Sequence, residues 1–89
     1  MKKIHKYEFA ITSYQKIAIP KGSKIIHAGL DPNNLPCIWV EVDPHEEEIV
    51  MEELFVLGTG HIMPALNLNH LGTFNADTFV WHVYENLGY

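Results

Sequence analysis

Apolar and polar residues alternate along most of this chain, and a period of two is the signature of β-strands. From Ile4 to Ile11, His5, Tyr7, Phe9 and Ile11 face one way against Lys6, Glu8 and Ala10. Gln15 to Ile19 follows, with Ile17 and Ile19 on one face. Pro20-Lys21-Gly22-Ser23 has turn chemistry, and Lys24 to Ala28 resumes a strand. Asp31-Pro32-Asn33-Asn34 predicts a second turn, closing a hairpin onto Cys37–Val42. In that strand Ile38, Val40 and Val42 make one apolar face, while Cys37, Trp39 and Glu41 point the other way. Asp43-Pro44 ends it, because proline cannot donate to a ladder.

The stretch from His45 to Leu57 is ambiguous. Its glutamates are helix formers, yet Glu53 to Leu57 reads as extended; the pattern favours a strand over Ile49 to Leu57, with a short helix as the alternative. His61 to Leu68 is an irregular excursion around Pro64. Leu71–Phe74 and Thr78–Tyr84 then pair about Asn75-Ala76-Asp77. In the last strand Phe79, Trp81 and Val83 oppose Val80, His82 and Tyr84, and two apolar faces mark a central strand. About seven short strands with turn signals between them predict a single all-β or β-rich domain over residues 1–89, an antiparallel sandwich or small barrel.

At 89 residues the chain builds one core of limited depth, which makes association between copies an expectation. The single cysteine, Cys37, has no internal disulfide partner, so a reducing cytoplasm is the simplest compartment and a small strand residue its simplest role. No apolar run approaches the length of a membrane span. All six lysines lie at or before Lys24, whereas ten of the eleven acids follow it. Either the basic segment folds against the acidic remainder, or Lys16, Lys21 and Lys24 lend positive potential to an anionic ligand. A net charge of −5 and the absence of arginine argue against a nucleic-acid duplex as partner.

The candidate chemistry lies where Phe55-Val56-Leu57 runs into Gly58-Thr59-Gly60-His61. Two glycines around a threonine let the backbone turn sharply and can align N–H groups, so that loop, hydroxyl and imidazole together hold a phosphate. The simpler reading is a tight turn needing glycine only for positive φ. The six histidines, at 5, 27, 45, 61, 70 and 82, show no metal-ligand spacing. Residues two beyond each histidine are Tyr7, Gly29, Glu47, Met63, Gly72 and Tyr84, so the paired His-x-Ser/Thr signature of phosphodiester cleavage is missing. Nor is there a GxSxG nucleophile elbow. These patterns call for no catalytic residue, metal or cofactor. Tyr7, Tyr14, Trp39, Trp81 and Tyr84 can stack a base, although each alone reads as core or subunit packing; Trp81 is the expected core residue, Trp39 and Tyr7 the accessible ones.

The order Ile17-Ala18-Ile19-Pro20-Lys21-Gly22-Ser23-Lys24-Ile25-Ile26, Pro36-Cys37-Ile38-Trp39-Val40-Glu41-Val42-Asp43-Pro44, Gly58-Thr59-Gly60-His61, Leu71-Gly72-Thr73-Phe74 and Phe79-Val80-Trp81-His82-Val83-Tyr84-Glu85 resembles a widespread family of small bacteriophage proteins. The similarity covers nearly the whole chain, and this group resembles in turn the tetrameric anti-CBASS sponge proteins. That resemblance implies a homo-oligomer in the cytoplasm of an infected bacterium, one that sequesters cyclic oligonucleotide immune signals without cleaving them. From chemistry, the expected ligand-binding residues are Tyr7 and Trp39 for stacking, and Lys24, Gly58, Thr59, Gly60 and His61 for phosphate. Two other readings stay open: an interaction module using the acidic stretch Asp43 to Glu53, and a hydrolase using His61 and His82.

Overall fold

The computed structural model describes residues 1–88. They form seven strands: β1 (Lys3–Glu8), β2 (Tyr14–Pro20), β3 (Lys24–Leu30), β4 (Pro36–Val42), β5 (Ile49–Gly58), β6 (Leu68–Ala76) and β7 (Phe79–Asn86). One sheet runs β1-β4-β3 and the other β2-β5-β7-β6, with every pairing antiparallel. The expected all-β architecture is thus present. The acidic segment is not helical: Pro44 and His45 turn, Glu46 to Glu48 run without regular structure, and β5 begins at Ile49. The first strand ends at Glu8 rather than Ile11, because only Phe9 beyond it still pairs, through its N–H to the Pro36 carbonyl at 3.0 Å.

The core draws on both sheets. Ile38, Val40 and Val42 of β4 meet Ile25 and Ala28 of β3, and from the other sheet Ile19, Leu54, Val56, Leu71, Phe74 and Val83. The alternation read from the sequence explains this: β4 places its aliphatic row inward and turns Trp39 and Glu41 outward. Cys37, on the outward face, is nonetheless buried. Burial, with the nearby Asp31 carboxylate second, pushes its thiol pKa up. Asp31 itself is buried; it accepts from the N–H groups of Asn33 and Leu35, each at 2.9 Å, and from Lys6 Nζ at 2.8 Å. The lysine bond and then those backbone donors hold its carboxyl below the usual carboxylate range.

The two sheets approach most closely where β6 passes β3. A side chain at Gly72 would place its first carbon inside the Ala28 carbonyl oxygen. Glycine is therefore required there for contact between two backbones, not for an unusual φ. Both strands are irregular beside this point, with register shifts between His70 and Gly72 and between Ile25 and His27.

β5 organises the four-stranded sheet by stagger. Its first half pairs with β2 from Ile49 to Phe55, its second with β7 from Leu54 to Gly58. Two regions are consequently left open. Ile49, Val50 and Met51 lie beyond β7 and are exposed. At the other end Leu57 and Gly58 lie beyond β2, and a cleft forms there.

Two half-buried carboxylates, Glu52 and Glu85, share the inward face near this overlap. Burial raises the pKa of both, and the charge of Glu85 raises Glu52 further. A carboxyl that binds its proton more tightly when folded stabilises the fold below the ordinary value of 4.5 and loses that contribution as pH rises through the raised value. Glu85→Gln keeps the acceptor for Asn69 and removes the charge. It is expected to raise stability at neutral pH by ~0.5 kcal/mol after discounting for solvent screening. That amounts to about 2–4 °C in a domain this small. Thermal melts across pH check it: the gain should vanish on acidification below the ordinary carboxylate value.

Candidate functional site

The Gly58–His61 segment is a β-turn in which the His61 N–H donates to the Gly58 carbonyl at 3.0 Å and Gly60 adopts φ +92°. That positive φ is what the second glycine supplies. The Gly58 N–H donates to His61 Nδ1 at 3.1 Å, and the Thr59 N–H to the Val80 carbonyl at 3.2 Å. Three of the four loop N–H groups are therefore committed, and among the described residues only that of Gly60 has no partner. The expectation of a backbone cradle of aligned donors does not hold in that form. What the turn presents is one N–H, the Thr59 hydroxyl and the far nitrogen of His61, whose Nδ1 acceptor role puts its proton on Nε2 when the ring is neutral.

These groups line a cleft of about 240 Å³ with Leu57, Met63, His82 and Tyr84. All four predicted loop residues, Gly58, Thr59, Gly60 and His61, are brought together in it. No lining residue is acidic, although the chain carries a net charge of −5. The His61 ring packs edge-on to Trp81, at 6.1 Å between centroids, and would be crowded by any side chain at Gly58.

Tyr7, Lys24 and Trp39 do not line this cleft. Tyr7 pairs with Ile38, which places it on the inward face, packed against the core rather than accessible. Trp39 lies on the outward face of the three-stranded sheet, 5.6 Å from the His27 ring. Lys24 stands opposite Glu41, Lys16 opposite Glu53, and Lys21 Nζ is 3.2 Å from Glu48. Four of the six lysines, Lys6, Lys16, Lys21 and Lys24, thus stand against acids of the same chain, the first of the two charge readings. Trp81 packs against the core, as expected.

Register supplies what residue type alone did not. On the outer face of the four-stranded sheet Tyr14, Phe55, Tyr84 and His70 stand directly opposite one another across β2, β5, β7 and β6. Ring centroids are 5.1 Å apart for Tyr14–Phe55 and 5.2 Å for His70–Tyr84, close enough for aromatic contact. Tyr84 therefore joins an aromatic row to the cleft. The Tyr14 hydroxyl anchors the far end on Glu53, which also accepts from Asn86 Nδ2 at 2.7 Å. In the next row Leu57, His82 and Thr73 face one another. His82 Nε2 is 2.8 Å from Thr59 Oγ1 and His82 Nδ1 is 3.0 Å from Thr73 Oγ1. His70 Nε2 reaches the same Thr73 oxygen at 2.9 Å.

No group of three or more His, Cys, Asp or Glu suited to a metal ion occurs among the described residues, and no helix there is long and apolar enough to cross a membrane. No curated protein and no solved structure matches the chain. Residues 1–88 match DUF7352, a domain of unknown function, and the chain belongs to that family.

Proposed function

For a member of a family without an assigned activity, we propose that this chain binds a nucleotide signal at the Gly58–His61 turn and holds it without cleavage. The observation that carries the reading is the cleft itself: a hydroxyl, an imidazole and one backbone N–H beside a tyrosine ring, with no carboxylate, on an acidic protein. Groups able to donate, with no carboxylate to repel it, suit an anionic oxygen, and the ring offers a base a face to stack on. Tyr84 takes the stacking role first given to Tyr7 and Trp39.

The cleft lies below the ~300 Å³ at which drug-sized sites begin. A cyclic oligonucleotide is larger than one such cleft, so several copies would each take a part of it. With the motif order described above, this favours a phage protein that sequesters a cyclic oligonucleotide immune signal in the host cytoplasm. Hydrolysis by His61 and His82 is the second reading, favoured by both imidazoles lining one cleft.

Filtration of the protein mixed with cyclic di- and trinucleotides, then denaturation and chromatography of the bound fraction, decides between them. Intact nucleotide is the expected result. Cleaved product would establish the hydrolase. Retention of none, in a folded sample, would remove nucleotide binding and leave the interaction-module reading.

A further inference from the structure

We propose that His70, Thr73 and His82 form a one-way hydrogen-bond relay that sets Thr59 as a donor into the cleft and so selects an acceptor oxygen, such as a phosphoryl oxygen, as its ligand. The inference rests on the reading of the cleft as a nucleotide site only for the identity of that oxygen. The relay itself follows from the proton count of a hydroxyl together with the tautomer preference of a neutral imidazole.

Thr73 Oγ1 lies 2.9 Å from His70 Nε2 and 3.0 Å from His82 Nδ1. A hydroxyl has one hydrogen to give and two lone pairs, so it cannot donate to both rings. If it donates to His82, Nδ1 of that ring is bare and the neutral ring carries its proton on Nε2. That proton then points at Thr59 Oγ1, 2.8 Å away. Thr59, its oxygen occupied as an acceptor, has its own hydrogen free for the cleft. If instead Thr73 does not donate to His82, the neutral His82 must carry its proton on Nδ1 and take the Thr59 hydrogen on Nε2, leaving the cleft a lone pair.

The two arrangements are not equivalent. A neutral imidazole side chain intrinsically prefers its proton on Nε2. In the first arrangement both His70 and His82 are in that form; in the second His82 is in the less favoured one. The relay therefore runs from His70 through Thr73 and His82 to Thr59. It ends beside His61, whose Nδ1 is held by the Gly58 N–H and whose own proton is on Nε2. Thr59, His61 and the Gly60 N–H then all present hydrogens to one small space. Such a site discriminates against a ligand that offers only donors there, because donors would face donors across the contact.

His70 and Thr73 do not line the cleft. They are positioning residues, and their loss has a signature that simple destabilisation would not produce. The test uses the full-length, nitrogen-15-labelled protein. Long-range proton–nitrogen NMR spectra read which ring nitrogens of His82 and His70 are protonated, with no ligand present. A proton on Nε2 of both is the expected result. Protonation of neutral His82 on Nδ1, or a mixture of the two forms, would overturn the relay.

Thr73→Val is expected to convert His82 to a mixture of tautomers, with Thr73→Ser restoring the single form. Binding is read with cyclic diadenylate as the probe. Thr73→Val should weaken it by about tenfold, the order expected for one misdirected hydrogen bond to a charged oxygen. Undiminished binding by Thr73→Val, with unchanged His82 signals, would also overturn the proposal. If cyclic diadenylate fails to bind the wild type while the tautomers are as expected, its selection as a ligand fails and the relay stands.

Discussion

Replacing Gly72 by valine is expected to leave the chain unable to fold, and Gly72→Ala to destabilise it by about 3 kcal/mol or more, at or above the top of the usual range for overpacking. The added carbon would overlap the Ala28 carbonyl oxygen. Neither partner can yield cheaply. Both atoms belong to main chain, each strand is tied into its own sheet, and Ala28 and Gly72 are buried. Stabilities of domains this size lie near the lower end of about 5–15 kcal/mol. An alanine there would consume much of that margin, and valine all of it. Urea unfolding of the alanine variant gives the loss directly, and circular dichroism of the valine variant shows whether a β-sheet spectrum survives. A control at Gly22, where nothing lies within 4 Å of an added carbon but φ is +80°, should cost only the backbone strain.

The second large effect is expected at the cleft. Tyr84→Leu should weaken binding of a retained cyclic nucleotide by about 10- to 100-fold, the range of one lost base–aromatic stack. Leucine keeps an apolar residue opposite Phe55, so the sheet is preserved while the ring is lost. Thr59→Val, which removes the central donor without altering shape greatly, should cost about tenfold. The two share one ligand and will not add. His61 needs a different variant. Alanine there would strand the Gly58 N–H as well as remove a donor, so His61→Asn, whose Oδ1 takes the place of Nδ1 as acceptor, separates the turn from the ligand contact. Calorimetry with melting curves on the same samples checks all three: unchanged affinity in folded Tyr84→Leu and Thr59→Val would remove the cleft from the site.

Much of the fold was legible because alternation is a local property. Ile38, Val40 and Val42 declared their face, and Asp31-Pro32-Asn33-Asn34 declared the turn that precedes them. The acidic segment was less so, since glutamates suit a helix, a strand edge or a solvated loop equally, and only the pairing of Ile49–Phe55 with β2 decides for a strand from Ile49 onward. The loop half of the cleft was legible because its four residues are consecutive. The other half was not. His82 and Tyr84 reach it only through the register of β7 on β5, and that register depends on the stagger of β5. Trp39 was correctly read as facing away from the aliphatic row, but alternation within one strand cannot tell which sheet that strand joins. Tyr7 shares its parity with Phe9, a core residue, so its inward direction was present in the pattern and was outweighed by its chemical type. Gly72 gave no signal, because a glycine chosen for close approach looks like any other.

Cys37 sits in the middle strand of the three-stranded sheet with its sulfur shut away from solvent, beneath the Asp31 turn and between β1 and β3. The chain has no other thiol. A disulfide reagent therefore reads one event, the uncovering of this outward-facing sulfur by movement of the Asp31 turn or of β4 itself, without interference from any second site. Burial raises the thiol pKa, so reagent meets little thiolate until that opening occurs. The molecule thus carries a native stopwatch for one of its two sheets. Set beside global unfolding, its rate reports whether the cover over this face is lost only with the whole fold or opens on its own.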